Sequence, residues 1–123
     1  MKASIIIPVY NEEKTILKII NKILKVKHIN KELIVVNDGS TDNTKKLLSK
    51  FSNKKIRIIN HSKNSGKGAA IRAAQKHITG THVIIQDADL EYEPTDYKNL
   101  LKPFKKKKYF CSIWFKGIKK KKI

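Results

Sequence analysis

Two carboxylates separated by one residue, Asp87-Ala88-Asp89, begin one residue beyond the apolar run at residues 83–85, and Glu91 lies two positions further on. Carboxylates spaced in this way at the end of a strand can face a single hard cation. Oxygen ligands suit Mg²⁺ or Mn²⁺, which proteins commonly hold with one or two carboxylates and the phosphates of a substrate. Acids this close repel one another unless a cation or solvent screens them, so a metal site is favoured over a simple turn. The pattern indicates nucleotide chemistry.

Short apolar runs alternate with helical patterns along the chain around this segment. Buried strands are predicted at residues 4–9, 32–36, 55–60 and 81–86, and helices at residues 12–24, 44–51, 69–77 and 95–101. Asn11 is expected to cap the first helix, with Glu12 and Glu13 in its first turn. Strands that alternate with helices predict an α/β fold, a three-layer sandwich around a mainly parallel sheet.

Polar clusters follow each predicted strand, at residues 10–12, 37–40, 64–68 and 87–89. Ligands of parallel α/β sheets bind beyond the carboxyl ends of the strands, so these clusters are expected to converge. Each has a simpler interpretation when taken alone, since residues 38–40 are a common turn sequence and residues 11–12 suit a helix start. Their convergence at one edge favours a binding site.

The glycine-rich segment at residues 64–68 is not a known phosphate-binding fingerprint. Gly68 follows Lys67 where a P-loop needs Ser or Thr, and Ile71 replaces the third glycine of a dinucleotide motif. A glycine-rich turn at a helix start, with Lys67 and Arg72 nearby, can still favour an anion. The four histidines show no metal-ligand spacing and are interpreted as surface or strand-edge residues.

Four ordered strings resemble family-2 glycosyltransferases: IIPVYNEE at residues 6–13, VVNDGSTD at 35–42, NSGKGA at 64–69 and DADL at 87–90. The chain is most similar to dolichyl- or polyprenyl-phosphate mannose synthases, over about residues 3–104. The resemblance implies a GT-A fold and inverting transfer of a hexose from a UDP- or GDP-sugar. A polyprenyl phosphate is the favoured acceptor, because its oxygen is already anionic and needs no general base.

The resemblance also implies roles for individual residues. Asp38 is expected to contact the base or ribose, and Asp87 and Asp89 to form the D-x-D pair at the metal and diphosphate, with Asp89 as the catalytic residue. Glu91 is the third candidate ligand of the Mg²⁺ or Mn²⁺ cofactor, at a position where Gln is frequent in the family. The implied nucleotide-sugar site consists of Pro8, Tyr10, Glu12, Asp38, Lys67, Asp87 and Ala88.

Charge is concentrated at the C-terminal end. The chain has 28 Lys and Arg and a formal charge of +18. Residues 102–123 contain ten of these basic residues and no acidic residue, so residues 1–101 carry 18 minus 10, or +8. Residues 1–104 are expected to form the nucleotide-sugar-binding part of the domain. Residues 105–123 depart from the family, as a Lys-rich tail that is disordered or results from a frameshift in an adenine tract. A polybasic tail that binds anionic lipid headgroups is the alternative.

Three function classes therefore stay open: an active glycosyltransferase, a truncated and inactive fragment that at most binds nucleotide sugar, and a basic membrane-surface protein. Clustered acids at the site argue against nucleic acid. Cys111 is the single cysteine, which excludes an intramolecular disulfide and a cysteine zinc site. With no signal peptide or membrane span predicted, we expect a cytoplasmic protein, peripheral at the membrane.

Overall fold

The structure is a computed structural model, and it describes residues 2–27 and 29–88. The elements in chain order are β1 (Lys2–Val9), α1 (Ile16–Leu24), β2 (Asn30–Asp38), α2 (Thr44–Leu48), β3 (Ile56–His61), α3 (Lys67–Gln75) and β4 (His82–Ile85). The strands form one sheet in the order β3-β2-β1-β4, and each neighbouring pair is parallel. The predicted α/β fold with a parallel sheet is confirmed, and the four predicted strands are all present.

Helices cover both faces of this sheet, which gives three layers. Successive side chains of a strand point to opposite faces, so the isoleucines of β1 divide between two cores. Ile5 and Ile7 pack on the side of α1 and α2, whereas Ile6 packs with Ala70 and Ala74 of α3. The alanines lack bulk, so α3 can lie close to the sheet. Because both faces of the sheet are covered there, β1, β2 and β4 contain continuous apolar runs, whereas the edge strand β3 has no fully buried residue.

α1 is amphipathic, and its apolar side chains define one face. The side chains buried against the sheet are Ile16, Ile19, Ile20 and Ile23. They recur at three- and four-residue spacing, as expected for a helix that covers a sheet. The helical spacing of the sequence predicts a core face of Ile16, Leu17, Ile20, Ile23 and Leu24, and Leu17 and Leu24 are partly buried beside the isoleucines. The predicted face is therefore the one that packs on the sheet, but the prediction omitted Ile19, which is fully buried.

The predicted start of α1 is wrong. The helix begins at Ile16, with Thr15 at the N-cap position and no acidic residue in its first turn. Asn11 cannot cap it, because Asn11 has a left-handed backbone with φ +51° and its side chain binds the backbone of Thr41 and Asp42. The helix predicted at residues 95–101 lies outside the described residues.

The chain reverses its direction of winding at β1. It proceeds from β1 through β2 to β3 on one side, then returns to place β4 on the other side of β1. Such a switch opens a crevice beyond the carboxyl ends of the two strands, and ligands of open α/β sheets bind there. Within the described ranges, no helix has the length and apolar character needed to span a bilayer.

Candidate functional site

A cavity of about 300 Å³ opens at the carboxyl edge of the sheet, in the crevice between β1 and β4. Its lining residues come from all four predicted polar clusters: Pro8, Val9, Tyr10, Glu12, Asp38, Asn64, Gly66, Lys67, Ala70 and Asp87. Six of the residues predicted for the nucleotide-sugar site are therefore brought together. Ala88 is buried behind the cavity rather than lining it. Asp89 and Glu91 lie outside the described residues.

Asp38 ends β2 and holds the segment that precedes α3. The residue is 4% exposed. Its Oδ1 accepts a hydrogen bond from the Ser65 N–H at 2.9 Å, and its Oδ2 accepts one from the Gly66 N–H at 2.8 Å. Nδ1 of His61 lies 3.1 Å from the same Oδ1. The carboxylate therefore fixes residues 64–66 along the rim of the cavity.

The surroundings of Asp38 keep it ionised. Burial by itself raises the pKa, but the hydrogen bonds from Ser65, His61 and Gly66 and the charge of His61 act in the opposite direction, so the net pKa lies below the usual value. Each carboxylate oxygen has two lone pairs, so contacts with the loop leave acceptor capacity for a ligand. Asp38 can therefore serve both the loop and a bound molecule.

Gly39 allows the same loop to approach the end of β2. Its φ is +73°, and a Cβ built on it would overlap the backbone of Lys63 and Asn64. Only glycine combines this left-handed conformation with so close a contact at little cost. The turn that follows Asp38 is thus shaped to receive residues 63–66.

His61 was predicted only as a strand-edge residue, and its contact with Asp38 was missed. The two residues are directly paired in the parallel register of β2 and β3. The residue types alone do not predict this contact. The strand register does, because Asp38 and His61 are paired at the carboxyl ends of adjacent strands. His61 thus belongs to the wall that supports the cavity.

Lys67 and Asp87 meet across the cavity from α3 and the end of β4. Lys67 Nζ lies 2.6 Å from Asp87 Oδ1. The other oxygen, Asp87 Oδ2, is buried and has no hydrogen-bond partner among the described residues. A buried carboxylate oxygen without a partner is costly, and a cation or a donor group from a ligand would satisfy it. Asp87 Oδ2 can therefore accept either a cation or a donor group of a bound molecule.

The three predicted metal ligands are divided between described residues and residues outside the described ranges. Asp87 is the one of the three that falls within the described ranges, and no group of three or more His, Cys, Asp or Glu residues able to hold a metal occurs in residues 2–27 and 29–88. The assignment of Asp87 as a metal ligand therefore stays a prediction, as do those of Asp89 and Glu91.

Hydrogen bonds interlock the β1–α1 loop, residues 10–15, with the β2–α2 loop, residues 39–43. Asn11 Oδ1 accepts from the Thr41 N–H at 2.7 Å and from the Asp42 N–H at 3.3 Å, and the Asn11 N–H donates to Ser40 Oγ at 3.0 Å. The left-handed backbone of Asn11 turns its side chain toward this loop. The two loops that supply Tyr10, Glu12 and the residues after Asp38 therefore form one unit.

Asp42 reinforces this unit. Its Oδ1 accepts from both the N–H and the hydroxyl of Thr44, at 2.9 and 2.5 Å, and its Oδ2 accepts from the Glu13 N–H at 3.3 Å. Burial raises its pKa, but these hydrogen bonds outweigh burial and the net pKa is lowered. Asp42 was not predicted as a site residue, and it supports the site from behind.

Comparison with known proteins assigns the chain a family and a fold. The sequence model of glycosyl transferase family 2 matches residues 4–122. A dolichyl-phosphate beta-glucosyltransferase of Trichomonas vaginalis is 36% identical over 112 residues, which cover 83% of this chain and 35% of that protein.

Two solved structures share the architecture. S. aureus TarS 1–349 in complex with UDP-GlcNAc has a TM-score of 0.73 and 31% identity, over 88% of this chain and 32% of that one. Mannosyltransferase PcManGT from Pyrobaculum calidifontis, in complex with GDP-Man and Mn²⁺, has a TM-score of 0.75 and 25% identity, over 87% of this chain and 33% of that one. The chain thus spans about a third of the length of these relatives.

Proposed function

The chain belongs to glycosyl transferase family 2 and has its GT-A fold, and from that premise we propose that residues 2–88 form most of the donor side of a hexosyltransferase that uses a nucleoside diphosphate sugar. One observation carries this proposal. The four polar clusters line a single cavity at the switch point of the sheet, with a lysine and a partly unsatisfied aspartate on opposite walls. The cavity thus has groups for a base and for a diphosphate.

The nucleoside is assigned to the side formed by β1 and β2. Tyr10 is 44% exposed at the cavity, so its ring is free to pack on a planar base. Pro8 adds apolar surface, and the ionised Asp38 can accept hydrogen bonds from a base or ribose. UDP-GlcNAc and GDP-Man, the ligands in the two solved structures, both carry such a nucleoside.

The diphosphate is assigned to the side formed by α3 and β4. Lys67 begins α3, where the helix dipole and the backbone N–H groups favour an anion. A diphosphate can take over Lys67 from Asp87, which frees both oxygens of that carboxylate for a cation.

A divalent metal would be held by Asp87, with Asp89 and Glu91 as the further candidate ligands, and Mg²⁺ and Mn²⁺ both suit these oxygens. When bound, such an ion stabilises the negative charge that develops on the nucleoside diphosphate as it leaves. PcManGT carries Mn²⁺ in its complex with GDP-Man. The metal of this chain is proposed on that likeness and on the unsatisfied Oδ2 of Asp87.

We propose a polyprenyl phosphate as the acceptor and inversion at the anomeric carbon. A phosphate oxygen is anionic at neutral pH, so it can attack the anomeric carbon directly without a protein base, and a single displacement inverts that centre. The acceptor assignment follows the dolichyl-phosphate glucosyltransferase among the relatives. It also makes contact with a membrane surface part of the proposal.

Calorimetric titration with UDP-glucose and GDP-mannose, with Mn²⁺ or with EDTA, tests the donor site. We expect Mn²⁺ to tighten binding of one donor by about tenfold or more, because charge-assisted contacts to a metal are worth at least one factor of ten. Asp87→Asn, which keeps the shape of the side chain, should remove that gain. Glu32→Gln, at the opposite edge of the sheet, is the matched control. A donor affinity that is the same in Mn²⁺ and EDTA, and that Asp87→Asn does not change, would contradict the metal assignment.

Turnover tests the transfer itself. The full chain is incubated with the donor that binds, Mn²⁺ and a short-chain polyprenyl phosphate, and transfer of labelled hexose to lipid is measured. Formation of a lipid-phosphate hexose supports the acceptor. Tight donor binding without transfer would mean that the chain only binds nucleotide sugar, and it would overturn the proposed reaction.

A further inference from the structure

The hydroxyl of Thr15 does not make the capping hydrogen bond that is usual at its position in a helix. Thr15 occupies the N-cap position of α1, where a threonine usually accepts a hydrogen bond from the first turn of the helix. Its side chain makes no such bond. Instead the hydroxyl donates to the backbone carbonyl of Ala88 at 2.6 Å, which is 73 residues away in the chain.

Ala88 is the residue between the two aspartates of the D-x-D pair. It is 4% exposed and packs in the same apolar core as Ile16 of α1. Its carbonyl belongs to the peptide group that leads into Asp89. Fixing this carbonyl therefore restricts the backbone directly after Asp87, whose Oδ2 has no partner among the described residues.

The same hydroxyl also contacts a residue that lines the cavity. Thr15 Oγ1 lies 3.1 Å from Oε2 of Glu12, which is one of the cavity-lining residues. A hydroxyl has a single proton, so it can donate fully to only one of its two acceptors, and the shorter contact is the one to Ala88. The Glu12 N–H in turn donates to the Thr44 hydroxyl at 3.1 Å. Thr15 thus connects the end of β4 with the interlocked loops on the nucleoside side.

We propose that Thr15 is a positioning residue for Asp87, because its hydroxyl holds the carbonyl of Ala88 and so fixes the backbone next to the carboxylate that would contact the cation. The inference rests on the proposed function, since it concerns the same donor site. It goes further in naming a residue outside the D-x-D segment that sets how strongly the metal contributes to nucleotide binding. Thr15 does not line the cavity, so it acts through Ala88 and not on the ligand.

The test measures UDP binding to the full chain by calorimetry, in Mn²⁺ and in EDTA, and takes the ratio of the two affinities. Thr15→Val keeps the shape of the side chain and removes the hydroxyl, and Thr15→Ser restores it. Thr81→Val is the matched control, because Thr81 bonds to Lys2 at the opposite edge of the sheet. Losing one hydrogen bond should lower the ratio in Thr15→Val by about three- to tenfold. The affinity in EDTA should stay the same.

The outcomes separate the inference from the function on which it rests. A wild-type chain whose UDP affinity is the same in Mn²⁺ and EDTA overturns the proposed metal site and the role of Thr15 together. A wild-type ratio that Thr15→Val preserves overturns the role of Thr15 alone. Equal losses in Mn²⁺ and EDTA would make Thr15 a general structural residue and also contradict the proposal.

Folding defects are covered by a second variant. Thr15→Ala lacks the hydroxyl and adds no atoms, so it carries the same prediction if Thr15→Val does not fold. Recovery of the wild-type ratio in Thr15→Ser is required in either case. Failure of both the Val and Ala variants to fold would show that the hydroxyl serves the fold, and this too would overturn the proposal.

Discussion

At the scale of single residues, the two carboxylates that line the cavity have different surroundings. Asp38 accepts from two backbone N–H groups and contacts His61, yet it also lines the cavity. Asp87 shares one oxygen with Lys67 and leaves the other unsatisfied within the part of the chain that the structure describes. Both oxygens of Asp38 have partners, whereas one oxygen of Asp87 has none in the described ranges. We therefore assign a supporting role to Asp38 and propose a metal at Asp87.

Asp38→Asn should destabilise the protein. The amide nitrogen of Asn cannot accept from a backbone N–H, so one of the two loop contacts at Ser65 and Gly66 is lost. Hydrogen bonds to charged groups contribute roughly 1.5–3 kcal/mol, so we expect a loss of about 2 kcal/mol in the free energy of unfolding. Urea denaturation at pH 7 measures it, and a change under about 0.5 kcal/mol, the usual range for surface sites, would contradict this role.

The difference between wild type and Asp38→Asn should depend on pH. The pKa of Asp38 is lower in the folded protein than in the unfolded chain. Its carboxylate therefore stabilises the fold above the unfolded pKa of about 4, and this contribution disappears as the pH falls through the folded value. Denaturation between about pH 3 and 7 should show the two proteins converging at the acidic end. A constant difference across that range would mean that ionisation of Asp38 is not the cause.

At the scale of elements, the turn after β2 and the segment before α3 are matched to each other. Gly39→Ala should disrupt this match, because alanine in a left-handed backbone costs about 1–2 kcal/mol and its Cβ overlaps Lys63 and Asn64. We expect a lower Tm and weaker UDP binding, since the loop at residues 63–66 must move.

Gly68→Ala is the control for that variant. Gly68 lies inside α3, and a Cβ there would meet only the flexible side chain of Arg72 at 3.4 Å. Alanine is a better helix former than glycine by about 1 kcal/mol, so this change should raise the Tm. If Gly39→Ala were as stable as Gly68→Ala and bound UDP normally, the proposed fit between the two loops would be wrong.

The sequence was sufficient to predict the strands, because buried parallel strands are short apolar runs with polar residues at their ends. It placed six residues of the cavity together for the same reason. It failed at the start of α1, where Asn11 was predicted to cap the helix but instead contacts a loop 30 residues away. It also missed Thr15, since no local pattern shows that an N-cap hydroxyl will turn to a distant carbonyl.

At the scale of the whole molecule, the described part presents a basic exterior. All six of its acidic side chains are buried or half-buried, whereas most of its lysines are exposed. The exposed lysines of α1 are Lys18 and Lys22, opposite the isoleucines of the core, and the exposed Lys25 follows at the C-cap position. This charge distribution suits an anionic membrane surface, which the proposed polyprenyl phosphate acceptor requires.

Sedimentation with vesicles tests this surface. Binding to vesicles that contain phosphatidylserine should exceed binding to pure phosphatidylcholine and should fall steeply as the salt rises from about 0.05 to 0.5 M, because the Debye length shortens. Lys18→Glu with Lys25→Glu should weaken it by about tenfold or more, at about 1 kcal/mol for each basic residue near the surface. Equal binding to both lipids would contradict membrane attraction by charge.

The central claim is that the cavity at the carboxyl edge holds the diphosphate of a nucleotide sugar through a cation at Asp87. A crystal structure of the chain soaked with UDP and Mn²⁺ tests it most directly, because anomalous scattering identifies the metal. The account predicts a manganese peak in contact with Asp87 and UDP density between Tyr10, Asp38 and Lys67. Manganese or UDP bound elsewhere, with this cavity empty, would contradict it.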